Sequence, residues 1–234
     1  MLVAVFAFGQ NQNVKDVEVT APQFTGVENA VVFQTGSPNT LIKNYLKENI
    51  VYPKEAAYCS IEGTEVVKFK VTTGGNVKDF EIINSVCPEM DKEVIKALAL
   101  TNGMWIPGVR NGQPDDMTIE IPFTFCTTAT GSKAVQEKFT ERATSLFSKG
   151  SQMLFEKGKT KKALYYYDKG VTYLPYDQSL LMLRGMCRYE LGDKEGATED
   201  WMRMGNLGGP DMSEVTELVK DMKGYDEMFA ILKK

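Results

Sequence analysis

The sequence contains no histidine among its 234 residues. Histidine is the commonest general base near neutral pH and the commonest nitrogen ligand for zinc. Its absence excludes Ser-His and Cys-His catalysis. The acidic pairs Asp115-Asp116 and Asp91 with Glu93 fall on a turn and at a helix start, where neighbouring carboxylates do not converge on one ligand. We therefore expect no enzyme activity, no cofactor and no metal site.

An excess of positive charge is also missing. Lysine and arginine total 27 against 31 acidic residues, which gives a net charge of -4 and a pI near 5.2. A nucleic-acid partner is not expected, because phosphate binding needs a basic surface. No apolar run reaches the roughly 18 residues that a membrane span requires. Gly74-Gly75 is too short to hold a phosphate, and no small-molecule substrate is expected.

The four cysteines include no C-x-x-C pair, which excludes a zinc ribbon or a thioredoxin-like motif built from sequence neighbours. Residues 1–9 form an apolar run with small residues at Ala7 and Gly9, followed by a polar stretch. This pattern is typical of the end of a signal peptide and indicates export, although a buried N-terminal strand is the alternative. An exported protein permits disulfides.

The stretch from Gly63 to Phe125 carries the clearest structural pattern in the chain. Apolar and polar residues alternate in residues 65–71 and again in residues 117–125, which predicts two half-buried strands. Residues 73–76 contain Gly74-Gly75 and predict a tight turn into a third strand over residues 77–85. A helix is predicted from Pro88 to Asn102-Gly103. The pattern predicts an α+β fold in which helices form a layer on a three-stranded antiparallel sheet.

Five motifs in this region occur in a recognisable order: Tyr52-Pro53, Ile61-Glu62-Gly63, Val71-Thr72-Thr73-Gly74-Gly75-Asn76-Val77, Trp105-Ile106-Pro107-Gly108 and Ile121-Pro122-Phe123-Thr124-Phe125. With these motifs, residues 22–126 resemble the TonB C-terminal domain, in the form expected of a Bacteroidetes-like periplasmic protein. The resemblance implies a periplasmic domain that recognises a short extended segment of an outer-membrane transporter. It also implies that Trp105 packs between helix and sheet, with a ligand-stacking platform as the alternative.

Residues 127–134 are mostly small and polar and are interpreted as a linker. Beyond them the periodicity is helical, and a pattern with a period of about 34 residues predicts two tetratricopeptide repeats in an all-α domain over residues 135–234. Ser151 and Gly185 occupy the small positions of the two repeats, and Tyr167 and Trp201 occupy the aromatic ones. Arg188 departs from the pattern, where a large apolar residue is expected. Residues 211–234 are predicted to form one or two capping helices.

Candidate partner-binding residues follow from the edge of the predicted sheet. Pro122 has no N–H to donate, which indicates that its strand lies at the rim. The alternation then places Thr118, Glu120 and Thr124 on the accessible surface. The resemblance implies that the transporter segment pairs with this edge near the stretch that precedes Tyr52-Pro53, which adds Asn49 and Tyr52. In the helical repeats only Tyr167 of three consecutive tyrosines belongs to the repeat core, which leaves Tyr165 and Tyr166 for the binding groove or for the neighbouring helix. The full candidate set is Asn49, Tyr52, Thr118, Glu120, Thr124, Tyr165 and Tyr166.

A disulfide between Cys59 and Cys87 is also predicted, provided that the chain bends between Ser60 and Gly63. Cys126 and Cys187 are expected to be free or buried thiols. The function hypothesis is a periplasmic protein-interaction module, linked to outer-membrane transport, that binds an extended segment by strand addition. The alternative is an envelope scaffold or assembly protein in which the helical repeats carry the binding.

Overall fold

The computed structural model describes residues 18–26, 38–127, 131–209 and 219–233. The expected signal segment, part of the expected linker and much of the expected capping region lie outside these residues. The elements of the first half are, in chain order, β1 (Val19–Thr20), β2 (Gln23–Phe24), α1 (Pro38–Asn49), α2 (Lys54–Tyr58), β3 (Gly63–Val71), β4 (Val77–Asn84), α3 (Pro88–Ala99), β5 (Trp105–Ile106), β6 (Gly108–Arg110), β7 (Gln113–Asp115) and β8 (Met117–Phe125). Those of the second half are α4 (Ser132–Ser151), a π-helical turn (Gln152–Glu156), α5 (Thr160–Tyr173), α6 (Gln178–Glu190), α7 (Lys194–Asn206) and α8 (Tyr225–Leu232).

The central sheet has the order β4-β3-β8, and both pairings are antiparallel. Alternation along β3 places Val67, Phe69 and Val71 on one face, where they are fully buried. Helices α1 and α3 cover that face with a shared set of apolar side chains, which includes Ile42, Leu46, Met90, Val94 and Leu98. The predicted α+β fold, with a helix layer on a three-stranded antiparallel sheet, is confirmed.

The hairpin between β3 and β4 depends on Gly75. Its φ of +74° lies in the left-handed region, and a Cβ atom there would stand 2.4 Å from the carbonyl oxygen of Trp105. The Gly75 carbonyl in turn accepts a hydrogen bond from the Gly103 N–H at 2.9 Å. The turn therefore fastens the hairpin to the segment that follows α3.

Trp105 belongs to the core, as predicted. It is 6% exposed and donates from Nε1 to the Thr101 hydroxyl at 2.9 Å. Its ring packs 5.1 Å from Phe24 and 5.5 Å from Phe69. The short strand β5, which contains Trp105, pairs with β2. This ladder connects the beginning of the described chain to the core.

The bridge predicted between Cys59 and Cys87 is not present, since all four cysteines are free thiols. Two bulges in the β3–β4 ladder give the reason. Lys70 pairs with Lys78, but Val66 pairs with Asn84, so β4 contains two more residues than the matching part of β3. Without the bulges, the register at the turn would place Cys87 opposite Ile61, whereas continuing the register of Val66 and Asn84 places it opposite Gly63. The two bulges thus move Cys87 two residues farther from Cys59.

The second half consists of two helical hairpins, α4 with α5 and α6 with α7, followed by α8. Their side chains share one core, which includes Tyr167, Leu183, Met186, Trp201 and Met228. Gly185 allows α6 and α7 to approach closely, because a Cβ atom there would stand 2.4 Å from Trp201 Nε1. Helix α8 packs on the last hairpin through Met228 and belongs to the same core.

In the first hairpin, the small residue that lets the two helices approach closely is Gly150, not Ser151 as the repeat pattern predicted. A Cβ atom on Gly150 would meet the Tyr167 ring at 2.6 Å, as one on Gly185 would meet Trp201. Ser151 instead lies beside the Tyr167 hydroxyl, with 3.3 Å between the two oxygens. The first hairpin has one extra residue before its turn, and the π-helical turn accommodates it. A fixed period cannot detect such an insertion, which explains the misplacement.

Arg188 departs from the expected apolar type because it joins a buried ion network. The Asp200 carboxylate is 3% exposed and accepts from Arg184 and Arg188, with the latter contact at 3.0 Å. Arg184 also lies 3.7 Å from Asp168. A buried carboxylate needs such partners, because an unpaired one is costly.

We expect Gly150→Ala to lower the free energy of unfolding by about 1–3 kcal/mol, because the added methyl group overpacks against the buried Tyr167 ring. The matched control is Ser151→Ala, which removes one hydroxyl contact and should cost less than about 1 kcal/mol. Urea unfolding of the two full-length variants measures both. If the two variants lose the same stability, or if Ser151→Ala loses more, Ser151 is the small residue of the repeat and the assignment of Gly150 is wrong.

Candidate functional site

The free edge of β8 is the first component of the site. Within the described residues, β8 pairs with β3 on one side only. Pro122 lies opposite Val66 in that ladder, and a proline nitrogen faces away from a ladder. Since backbone groups alternate along an antiparallel strand, Glu120 and Thr124 direct their N–H and C=O groups to the same outer side. Both side chains are exposed. The edge can therefore accept hydrogen bonds from another strand.

A cleft of about 910 Å³ lies along the second half of this edge. Residues 122–126 of β8 and its exit form one boundary, and another is formed by Lys43 and Lys47 of α1 with Ile50, which follows that helix. The third boundary belongs to the helical half, through α4 and the turn from α5 to α6. This volume is within the usual range for ligand sites. The described residues of both halves thus enclose the cleft together.

Aromatic rings form much of the cleft surface. Phe123 and Phe125 lie edge to face at 5.0 Å, and Tyr52 stands against Phe125 at 5.5 Å. On the helical side, Phe139 and Tyr173 also meet edge to face at 5.0 Å. Burial raises the pKa of Tyr52 to about 12, and the negative charge of Glu62 contributes to the same shift to a smaller extent. Its hydroxyl stays protonated and donates to the Ile61 carbonyl.

One buried carboxylate, Glu62, joins the two halves below the cleft. Its side chain is 2% exposed and accepts from Lys138 at 2.7 Å and from Arg142 at 2.9 Å, both on α4. The Thr127 N–H and hydroxyl donate to the other oxygen at 2.8 and 2.7 Å. Burial alone would raise the pKa of Glu62, but the hydrogen bonds from Lys138, Thr127 and Cys126 together lower it to about 2. The carboxylate is therefore ionised at neutral pH.

Further contacts attach α5 to the outer face of the sheet. The Thr64 hydroxyl donates to the Tyr173 carbonyl at 3.2 Å, and a Cβ atom on Gly63 would stand 2.7 Å from Thr172. Val66, on the same face as Thr64, is fully buried. The sheet is thus covered on both faces at this end, and the helical half is held against it.

The candidate residues from the sequence fall into two groups. Tyr52 and Thr124 line the cleft. Asn49 lies near it on α1 but donates to the Tyr45 carbonyl at 2.8 Å. The other four do not line the cleft: Thr118 is on the first half of β8, Glu120 lies 4.0 Å from Arg203, and Tyr165 and Tyr166 pack against each other on α5.

The sequence interpretation missed the helical boundary of the cleft, including Val135, Phe139, Tyr173 and Tyr176. Its one available signal was Glu62, an acid between the apolar Ile61 and a strand, which needs cations from elsewhere in the chain. Within the described residues, no group of acidic residues and cysteines could hold a metal ion, and no helix is long and apolar enough to cross a membrane.

Glu65 is a second buried acid, and its pKa is shifted in the opposite direction from that of Glu62. It is fully buried on β3, and its Oε2 accepts from the Val86 N–H at 3.0 Å. Its other oxygen has no hydrogen-bond partner. Burial raises the pKa of Glu65 to about 9, and the neighbouring Asp91 contributes to the same shift to a smaller extent. This carboxyl group is therefore neutral at neutral pH.

Residues 48–127 match the family described as Gram-negative bacterial TonB protein C-terminal. The chain is similar to two solution structures of the Helicobacter pylori TonB C-terminal domain. The first, of residues 194–285, is 18% identical, with 39% of this chain and 95% of that one covered and a TM-score of 0.32. The second, of residues 179–285, is 22% identical, with 41% and 88% covered and a TM-score of 0.30. No curated protein matches the chain.

Glu62→Gln should destabilise the protein by about 2–4 kcal/mol near neutral pH, because Lys138 and Arg142 lose their counter-charge. The folded-state pKa is lowered, so the contribution of Glu62 is present above about pH 4.5 and is lost as the pH falls toward 2. Urea unfolding of parent and variant as a function of pH should show the difference closing on acidification. A difference that does not change with pH would contradict the assigned ionisation.

Glu65→Gln should show the reverse trend. The folded-state pKa is raised, so the stability that protonation contributes is complete below about pH 4.5 and is lost as the pH rises through about 9. A glutamine keeps a polar group at this position without ionising. We expect the variant to become more stable than the parent by at least about 1 kcal/mol near pH 8, while the two converge near pH 5. Parallel stability curves would show that Glu65 does not titrate as assigned.

Proposed function

We propose that this chain, whose residues 48–127 are similar to the TonB C-terminal family, is a periplasmic protein-interaction module linked to outer-membrane transport. It holds an extended segment of an envelope partner by strand addition to β8. The observation that carries the proposal is the free edge of β8 at Thr124, which opens into a cleft of ligand-binding size.

Strand addition suits the backbone of this edge. An added strand would exchange hydrogen bonds with the outward N–H and C=O groups of Thr124. At Pro122 it could only donate to the carbonyl, because proline has no N–H. Pro122 therefore limits how far pairing can extend and reduces uncontrolled edge association. Side chains of the added strand would alternate between the cleft and the outer side. Main-chain bonds would supply affinity, and the aromatic surface would supply selectivity.

The helical half fits a pair of tetratricopeptide-like repeats with a capping helix. Support comes from the equivalent contacts of Gly150 with Tyr167 and of Gly185 with Trp201. In this proposal the repeats have a supporting role, because α4 and the turn after α5 form one side of the cleft. Export to the periplasm is part of the same proposal and is supported by the similarity to a family of the Gram-negative envelope.

The test replaces Thr124 with proline, which removes an outward N–H without removing a backbone hydrogen bond to β3, although the hydroxyl contact with Thr64 at 3.4 Å is lost. Thr124→Val is the matched control, because it also lacks the hydroxyl but keeps the N–H. Synthetic N-terminal segments of outer-membrane transporters are screened against the parent, and each binder is titrated calorimetrically with both variants. We expect Thr124→Pro to weaken binding by about tenfold or more and Thr124→Val to leave it nearly unchanged. Equal binding by a folded Thr124→Pro variant would refute strand addition and favour the helical repeats as the binding surface.

A further inference from the structure

We propose that the occupant of the cleft is an extended peptide with carboxylate side chains, and that both halves of the chain bind it jointly. The proposal rests on strand addition at β8 and adds the chemistry of the partner. It also assigns a binding role to the helical half, which the similarity to a family model over residues 48–127 does not cover.

The wall of the cleft on α1 is basic. Lys43 and Lys47 stand one helical turn apart, both line the cleft and both are exposed. Within the described residues, neither lysine forms a salt bridge, although other lysines of the first half, such as Lys68 and Lys70, are paired. Two ammonium groups beside a free strand edge attract an acidic strand and repel a basic one.

The carboxylates near the cleft already have partners. Asp177 lines the cleft, but its side chain accepts from the Leu180 N–H at 2.9 Å and caps α6. Glu62 meets two cations, Lys138 and Arg142, so that cluster retains a net positive charge. These arrangements leave the local field favourable to an anionic ligand.

Arg203 lies behind the helical boundary of the cleft and belongs to an internal ion pair. Its guanidinium lies 5.0 Å from the centre of the Tyr176 ring, which lines the cleft, and its side chain is only 12% exposed. Its Nε and Nη2 are buried without a hydrogen-bond partner, and the nearest carboxylate, Glu120 on β8, is 4.0 Å away. Because both nitrogens are shielded from solvent and Glu120 is the ion-pair partner, Arg203 does not contact the peptide, and the preference for an acidic partner rests on Lys43 and Lys47.

The helical wall also includes residues suited to direct contact. Gln136 on α4 is exposed and lines the cleft across from the α1 lysines, close to Val135 and Phe139. A peptide paired with β8 would lie between these two walls. The charge at Gln136 should then affect binding, although this residue belongs to neither the sheet nor its helix layer.

The experiment uses the full chain and two fluorescein-labelled synthetic peptides of nine residues, the length of β8. In both, valine and threonine alternate; one carries two glutamates at threonine positions and the other carries two lysines. Fluorescence anisotropy should show the acidic peptide binding about tenfold more tightly than the basic one, with the preference reduced by added salt. Equal affinities, or a preference for the basic peptide, would overturn the proposal.

Three variants locate the preference. Lys43→Glu combined with Lys47→Glu should reverse it, whereas Lys149→Glu with Lys157→Glu, which changes net charge equally at exposed positions outside the cleft, should not. Gln136→Lys should strengthen binding of the acidic peptide by about twofold to fivefold, and Gln136→Glu should weaken it by a similar factor. If both Gln136 variants bind like the parent, the helical half is not part of the site and the joint-binding proposal is wrong.

The Thr124→Pro variant separates this proposal from the proposed function. If it abolishes binding of both peptides while the parent does not discriminate between them, strand addition stands and the acidic partner is refuted. If it has no effect while the charge preference persists, strand addition fails and with it the present proposal as stated. If neither peptide binds and the parent sediments as a dimer that Thr124→Pro dissociates, a second copy covers the edge and the acidic-peptide proposal is wrong.

Discussion

The buried carboxylate of Glu62 is the interaction on which the arrangement of this molecule depends. It lies at the start of the central strand, yet its cationic partners come from α4, 76 and 80 residues later in the chain. Because an unpaired charge at this depth is costly, the helical half must remain in place as long as Glu62 is ionised. Main-chain contacts from α5 to Thr64 and Asn84 fix the second point of attachment.

The attachment of the helical half to the sheet limits which strands can reach the free edge of β8. An isolated edge strand is exposed to any other edge, whereas here β8 opens into a cleft bounded by α1 and by the helical half. Pro122 limits pairing along the strand, and aromatic rings on both sides provide surfaces that distinguish one side-chain pattern from another. In the proposed function, selectivity for an extended partner follows from the contact between the two halves.

Local patterns in the sequence predicted the sheet, its hairpin and the helix α3 to within a residue or two at most boundaries, because alternation and turn glycines depend on neighbouring residues. The same patterns could not show β1, β2 or β5, whose two-residue strands have no period. Thr124 and Tyr52, which line the cleft, were predicted from the sheet edge and from the resemblance, respectively. Phe139 and Tyr173 were missed because only tertiary packing brings α4 and α5 to the sheet. Likewise, the π-helical turn shifted the small position from Ser151 to Gly150.

We infer that Glu62 holds the two halves together as one rigid unit. Residual dipolar couplings of backbone amides in a weakly aligned sample test it most directly, since they report the orientation of each N–H bond in a common frame. We expect couplings from residues 38–127 and from residues 131–209 to fit a single alignment tensor. Two clearly different tensors would show that the halves reorient independently, and the shared cleft would then not exist as a fixed site.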